Sequence, residues 1–174
     1  MSDDSLYRGK FLELRNRDGW EYVHRVRGQT PVGIAAVTPN DEVVLIAQFR
    51  IPVGKSIIEI PAGLVGDKAG EESEAWQIAA QRELLEETGW SAEKVEFLTE
   101  GPTSAGLTSE CIKLVRATGL RKIGDPTPDG DEQITVHLVP MKNVDAWLAE
   151  KVRGGQLVDP KVYAALYFLQ RRVE

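Results

Sequence analysis

The chain has 174 residues, 42% of them apolar and 28% charged, which supports a packed core without disulfides and excludes a disordered tail. Lys and Arg number 21 against 27 Asp and Glu, a formal charge of −6, and such a surface repels DNA and RNA as bulk partners. No apolar run approaches the roughly 18 residues of a membrane span, the N-terminus lacks the basic-then-apolar order of a secretory leader, and the lone Cys111 suits a reducing cytoplasm.

No repeat, low-complexity tract or long linker divides the sequence, so residues 1–174 are expected to form one domain. The first half predicts strands. Lys10 to Arg15 alternates roughly, and Trp20 to Val26 follows the turn signal Asn16-Arg17-Asp18-Gly19. Val32 to Val37 and Val43 to Arg50 are apolar runs separated by a turn at Pro39-Asn40-Asp41. Ser56 to Ile60 is a short strand stopped by Pro61, which has no N–H for a sheet ladder.

Ala62 to about Ser73 reads as a Gly- and charge-rich loop leading to a helix over Glu74–Thr88. That helix is rich in Ala, Glu, Gln and Leu, places acids in its first turn and ends at Gly89. Strands are expected at Val95–Leu98, Ile112–Ala117 and Ile134–Val139, with a Gly/Pro/Asp loop from Gly119 to Asp131. Two helices, Asn143–Val152 and Pro160–Val173, close a mixed α/β layout around one core.

The charge excess is concentrated. Between Asp67 and Glu87 stand seven acids and two bases, which carry −5 of the −6. At 100° per residue Glu83 and Glu87 project along nearly one line, with Glu86 beside them. Like charges on one face destabilise an isolated helix, so the arrangement is either a solvated acidic face or a site for a hard cation. Carboxylate oxygens are the donors that Mg²⁺ and Mn²⁺ prefer.

The spacing Glu74-x7-Arg82-Glu83-Leu84-x-Glu86-Glu87-x-Gly89-Trp90 resembles the Nudix hydrolase box, and the order of elements is similar over nearly the whole chain. One departure is that Lys68 stands where the family's leading glycine usually lies, and Gly63 is eleven positions ahead of Glu74. The resemblance implies an α/β (α+β) Nudix fold: a mixed β-sheet sandwiched between helices, with an N-terminal β-strand region over about residues 1–30. It implies that Glu83 and Glu87 bind Mg²⁺ (or Mn²⁺), that Glu86 shares a second ion, and that the carbonyl of Ala62 completes the shell. Arg82 and Glu74 are implied to be the ion pair that steadies the helix.

Further fragments resemble the ADP-ribose (ADP-sugar) pyrophosphatase branch. Trp20-Glu21-x-Val23-x-Arg25 is similar to its N-terminal strand, where an indole stacks on adenine and a carboxylate accepts from the exocyclic amine. Arg25 is implied to reach a phosphate or ribose, or to pair with an acid. In Gln48-Phe49-Arg50 the arginine is implied to contact the diphosphate, and Glu59 before Pro61-Ala62-Gly63 to be a metal-shell or structural carboxylate. Thr103-Ser104-Ala105-Gly106-Leu107 stands where the branch often has Ser-Pro-Gly, with Gly106 keeping the backbone freedom. Glu132, after Pro128-Asp129-Gly130-Asp131, is the implied general base, with Glu110 in reserve.

The implied activity is hydrolysis of a nucleoside diphosphate sugar, with ADP-ribose to AMP and ribose 5-phosphate as the leading case, by a homodimer whose N-terminal strands cross to the partner. GDP-mannose or another nucleoside diphosphate compound is the nearest competitor. From a different class comes a nucleotide-binding module without catalysis, which predicts broken box glutamates; here Glu74, Glu83, Glu86 and Glu87 are all present.

Overall fold

Three extended segments open the computed structural model, which describes residues 2–27, 30–66, 70, 73–128 and 133–171. Strands β1 (Asp3–Arg8), β2 (Leu12–Arg17) and β3 (Trp20–Arg25) form an antiparallel sheet in that order. The β2–β3 turn places Asp18 and Gly19 at positive φ, 49° and 90°, the backbone that an Asp-Gly hairpin supplies at low cost. Strand β2 lies two residues later than the alternation suggests. β1 lies within the expected N-terminal strand region but is not singled out by alternation: its six residues are all exposed, so no face of it leaves an apolar signature.

Next come β4 (Pro31–Ala36), β5 (Glu42–Arg50), β6 (Lys55–Glu59) and β7 (Ala62–Leu64), then helix α1 (Trp76–Thr88). Strands β8 (Trp90–Ser91), β9 (Lys94–Pro102), β10 (Cys111–Thr118), β11 (Arg121–Lys122) and β12 (Ile134–Pro140) follow. Helix α2 (Val144–Arg153), strand β13 (Leu157–Val158) and helix α3 (Pro160–Gln170) complete the described chain. Two four-stranded sheets are built, ordered β7-β4-β10-β9 and β12-β5-β6-β13. Each is mixed, because β10 runs parallel to β4 and β13 parallel to β6. The expected mixed sheet is therefore two sheets.

Alternate residues of β4 and β5 feed two cores. Val32, Ile34 and Ala36 of β4 and Val44 of β5 pack with Ala79, Ala80 and Leu84 of α1. Ala35 of β4 and Val43, Leu45 and Ala47 of β5 pack with Val144 and Leu148 of α2 and Val162, Ala165 and Leu166 of α3. The sheets thus lie between α1 on one side and α2 and α3 on the other. Leu84 is fully buried, a burial worth roughly 1.5–3 kcal/mol, and it seats α1 with its carboxylates turned away from the core.

Two expectations are corrected here. Ala62–Leu64 is a strand, because Gly33 pairs with Ala62 and Ile34 N donates to the Pro61 carbonyl at 2.8 Å. Helix α1 starts at Trp76 with extended Ala75 before it, and no acid lies in its first turn. Glu74 is bonded instead to Gly66 N and Arg82. Among the described residues no helix is long and apolar enough to cross a membrane.

Candidate active site

The acid face of α1 is held against β7. Ala62 N donates to Glu87 Oε2 at 2.9 Å, and Glu87 is only 4% exposed. Gly63 lies so near Glu83 that a Cβ there would sit 1.9 Å from the carboxylate carbon. This close approach explains the glycine: a side chain there would displace the Glu83 carboxylate. The helix ends at Gly89, whose φ of 70° continues no helix and whose N–H donates to Leu85 O.

Arg82 organises the carboxylates. Its Nε and Nη2 donate to Glu74, Nη2 also to the Leu64 carbonyl, and Nη1 to Glu83 at 2.7 Å and Glu86 at 3.1 Å. Burial opposes its charge, but the bond to Glu74 and the charge of Glu83 outweigh burial and hold the guanidinium protonated above its ordinary value. The steadying pair expected between Arg82 and Glu74 is present, and Arg82 reaches two further acids. Among the described residues no three metal-ligating side chains are gathered as a ready-made cluster. The oxygen-only donor set of Glu83, Glu86 and Glu87 nevertheless fits a hard divalent cation in kind, and Gly63 keeps the backbone beside it open.

A cavity of about 440 Å³ opens over this face. It brings together Arg25, Arg50, Glu59, Ala62, Glu83 and Glu87. Arg50 grips the buried Glu59 bidentately, with Nε donating at 2.9 Å. Arg25 Nε and Nη2 both donate to Glu110 Oε2, at 3.0 and 2.7 Å, and Thr103 Oγ1 donates to Oε1. Arg25 thus pairs with an acid.

Trp20, Glu21 and Gly106 stand outside this cavity. Trp20 is exposed and its Nε1 donates to the Gly106 carbonyl at 3.3 Å. The N-terminal sheet docks along the same loop, through Val23 N to Leu107 O, Ser109 N to Val23 O and His24 Nδ1 with Ser109 Oγ. Glu86 does not line the cavity, although its carbonyl accepts from Thr127 N. Glu132 lies outside the described residues.

Asp159 and Lys161, at the start of α3, also line the cavity, and sequence reasoning missed them. An Asp-Pro pair marks a helix start, but their place beside Glu59 depends on the parallel β13–β6 pairing, which no local pattern encodes.

An acid face on one helix and a paired arginine beside it, in one cavity between mixed sheets and helices, form an oxygen-donor site of the kind that binds a hard cation. The sequence profile of the NUDIX domain matches residues 29–159, and the chain belongs to the Nudix family, whose hydrolases work with a divalent metal. It is 34% identical to the methanol dehydrogenase activator of Bacillus methanolicus over 98% of this chain and 91% of that protein. An ADP-ribose pyrophosphatase of Bacillus subtilis (strain 168) is 33% identical over 80% of this chain and 71% of its own. A GDP-mannose pyrophosphatase of Yersinia enterocolitica is 31% identical over 75% and 70%. The crystal structure of an ADP compounds hydrolase shares the fold, with a TM-score of 0.63 and 20% identity over 83% of this chain and 80% of that one.

Proposed function

We propose that this chain hydrolyses the diphosphate of a nucleoside diphosphate sugar, ADP-ribose to AMP and ribose 5-phosphate. The observation that carries the reading is the shared cavity, in which Glu83 and Glu87 face Arg50 and Glu59. Glu83, Glu87 and the Ala62 carbonyl would hold Mg²⁺ (or Mn²⁺), with Glu86 sharing a second ion, and the metal would supply charge neutralisation of the diphosphate and a more acidic attacking water.

The chain's own groups do the rest. Arg50, kept in orientation by Glu59, donates to the diphosphate oxygens. Arg82 and Glu74 steady the carboxylate helix. Glu132 takes a proton from water as its oxygen attacks phosphorus, and the bridging P–O bond breaks to leave two phosphomonoesters. Trp20 and Glu21 grip the adenine, while Arg25 and Gly106 border the ribose and phosphate. The exposed Leu6, Tyr7 and Leu12 of the N-terminal sheet, with Phe11 in its first turn, support a homodimer, because exposed apolar groups close together favour burial against a partner. A reducing cytoplasm suits the exposed, unpaired Cys111.

The test is incubation with ADP-ribose, GDP-mannose, NADH and nucleoside triphosphates plus Mg²⁺, with product analysis. ADP-ribose should be cleaved fastest, and Glu83→Gln or Glu87→Gln should slow it by orders of magnitude in a folded chain. Cleavage of none of the diphosphate sugars would sink the reading, and binding without turnover would favour the non-catalytic module. A kcat/KM for GDP-mannose above that for ADP-ribose would move the substrate to the competitor.

A further inference from the structure

Among the described residues three cations line the cavity, Arg25, Arg50 and Lys161, each paired with a carboxylate, but the pairs differ in what they connect. Arg25–Glu110 joins β3 to the segment before β10, and Arg50–Glu59 joins β5 to β6. Both therefore tie elements together. Lys161 pairs with Asp159, two residues away at the start of one helix, and an ion pair between such neighbours joins nothing. Asp159 already caps α3 by accepting from Lys161 N at 2.7 Å, so the cap does not need the ammonium. Among the described residues the Lys161 ammonium has no partner besides Asp159.

The location is specific. Asp159 N donates to the Ile58 carbonyl at 2.9 Å, which fixes Asp159 at the end of β6 beside Glu59. The pair thus belongs to the wall built by the β12-β5-β6-β13 sheet, while Arg25 and Glu110 belong to the wall on which β3 docks. On the hydrolase reading, with Trp20 gripping the adenine, a diphosphate over Glu83 and Glu87 has its nucleoside toward β3. Its second ester group then faces α3.

We propose that Asp159 and Lys161 form the subsite for the group esterified to the second phosphate, and that they read the hydroxyls of a sugar. The proposal rests on the hydrolase reading above. Its chemistry follows from the pairing. With Asp159 beside it, Lys161 presents a donor next to an acceptor of O–H groups within one helix turn. A cation and an anion side by side match an uncharged polyol, with Lys161 donating to one sugar oxygen and Asp159 accepting from a neighbouring hydroxyl. Sites built on hydroxyl recognition discriminate strongly against analogues that lack the group.

The experiment compares ADP-ribose with the methyl ester of ADP, which keeps the diphosphate and removes the sugar, as Mg²⁺-dependent substrates of the full chain. Asp159→Asn retains a good helix cap and Lys161→Met retains the aliphatic stem, so both variants should melt with the wild type. Each should raise KM for ADP-ribose by about tenfold, the loss expected for one hydrogen bond to a charged partner, and leave kcat/KM for the methyl ester within about twofold. Variants that lose both substrates by the same factor, or neither, would overturn the subsite and leave the hydrolase reading standing. A wild type that cleaves neither substrate would take down both.

Discussion

Nη1 of Arg82 lies 2.7 Å from Oε1 of Glu83, so a cation from the same helix already offsets part of the acid face's charge. Arg82 is 16% exposed and also serves Glu74 and Glu86. Removing it leaves three carboxylates crowded without that charge. Arg82→Gln should destabilise the chain by about 2–3 kcal/mol, below the cost at a fully buried pair because the side chain keeps some water. Millimolar Mg²⁺ should return part of the loss, since an ion that binds only the folded state stabilises it. Urea unfolding with EDTA and with Mg²⁺ measures both effects. An unchanged midpoint in EDTA, or no response to Mg²⁺, would count against the neutralising role.

Gly63→Ala tests the contact between strand and helix. The new Cβ would meet the Glu83 carboxylate at 1.9 Å, and either β7 or the glutamate must move. We expect turnover to fall by about 10²-fold, the order associated with a displaced catalytic group, with the midpoint of unfolding lowered far less than in a core truncation. Gly101→Ala is the control, because its Cβ meets nothing within 4 Å. Equal rates for the two variants would show that the close approach does not position Glu83.

The acid face was legible because a helix turns register into geometry: once Glu83, Glu86 and Glu87 are on a helix ending at Gly89, their common side follows. The long strands β4 and β5 were legible from apolar runs. Where the sequence was silent, the cause is non-local pairing. Ala62–Leu64 carries loop-like residues and becomes a strand only because β4 is there to pair with it. β1 has no buried face to announce it. Glu110 carries no mark of its partner, since Arg25 is 85 residues away, and Lys161 enters the cavity through a parallel pairing of two residues per strand.

Contacts of Glu110 bear on the choice of base. Both oxygens of Glu110 are engaged, one by Arg25 and the other by Thr103, which suits a group that positions Arg25 better than one that takes a proton. Glu132→Gln should lower kcat by about 10²–10⁴-fold, the range for loss of a general base. Glu110→Gln should chiefly raise KM, with kcat within a fewfold of wild type. Steady-state rates of the two variants on ADP-ribose decide between them, and a reversed pattern would transfer the role to Glu110.

His137 gives the fold a pH dependence of known sign. Its ring packs 5.2 Å from that of Trp147, over which Lys151 lies at 5.0 Å. Burial, and then the charge of Lys151, hold its pKa below the ordinary 6.5. The folded chain therefore prefers the neutral ring and the unfolded chain binds the proton more readily. A lowered folded pKa contributes stability that is complete above the unfolded value and lost as pH falls through 6.5 toward the folded value. His24 shifts the same way, through burial and then Arg15, and adds to the slope. Urea midpoints should fall between about pH 7.5 and about pH 5, the span of a histidine titration. His137→Phe keeps an aromatic ring against Trp147 without a titrating nitrogen, so it should flatten the slope in part; a variant as steep as the wild type would remove His137 from the account.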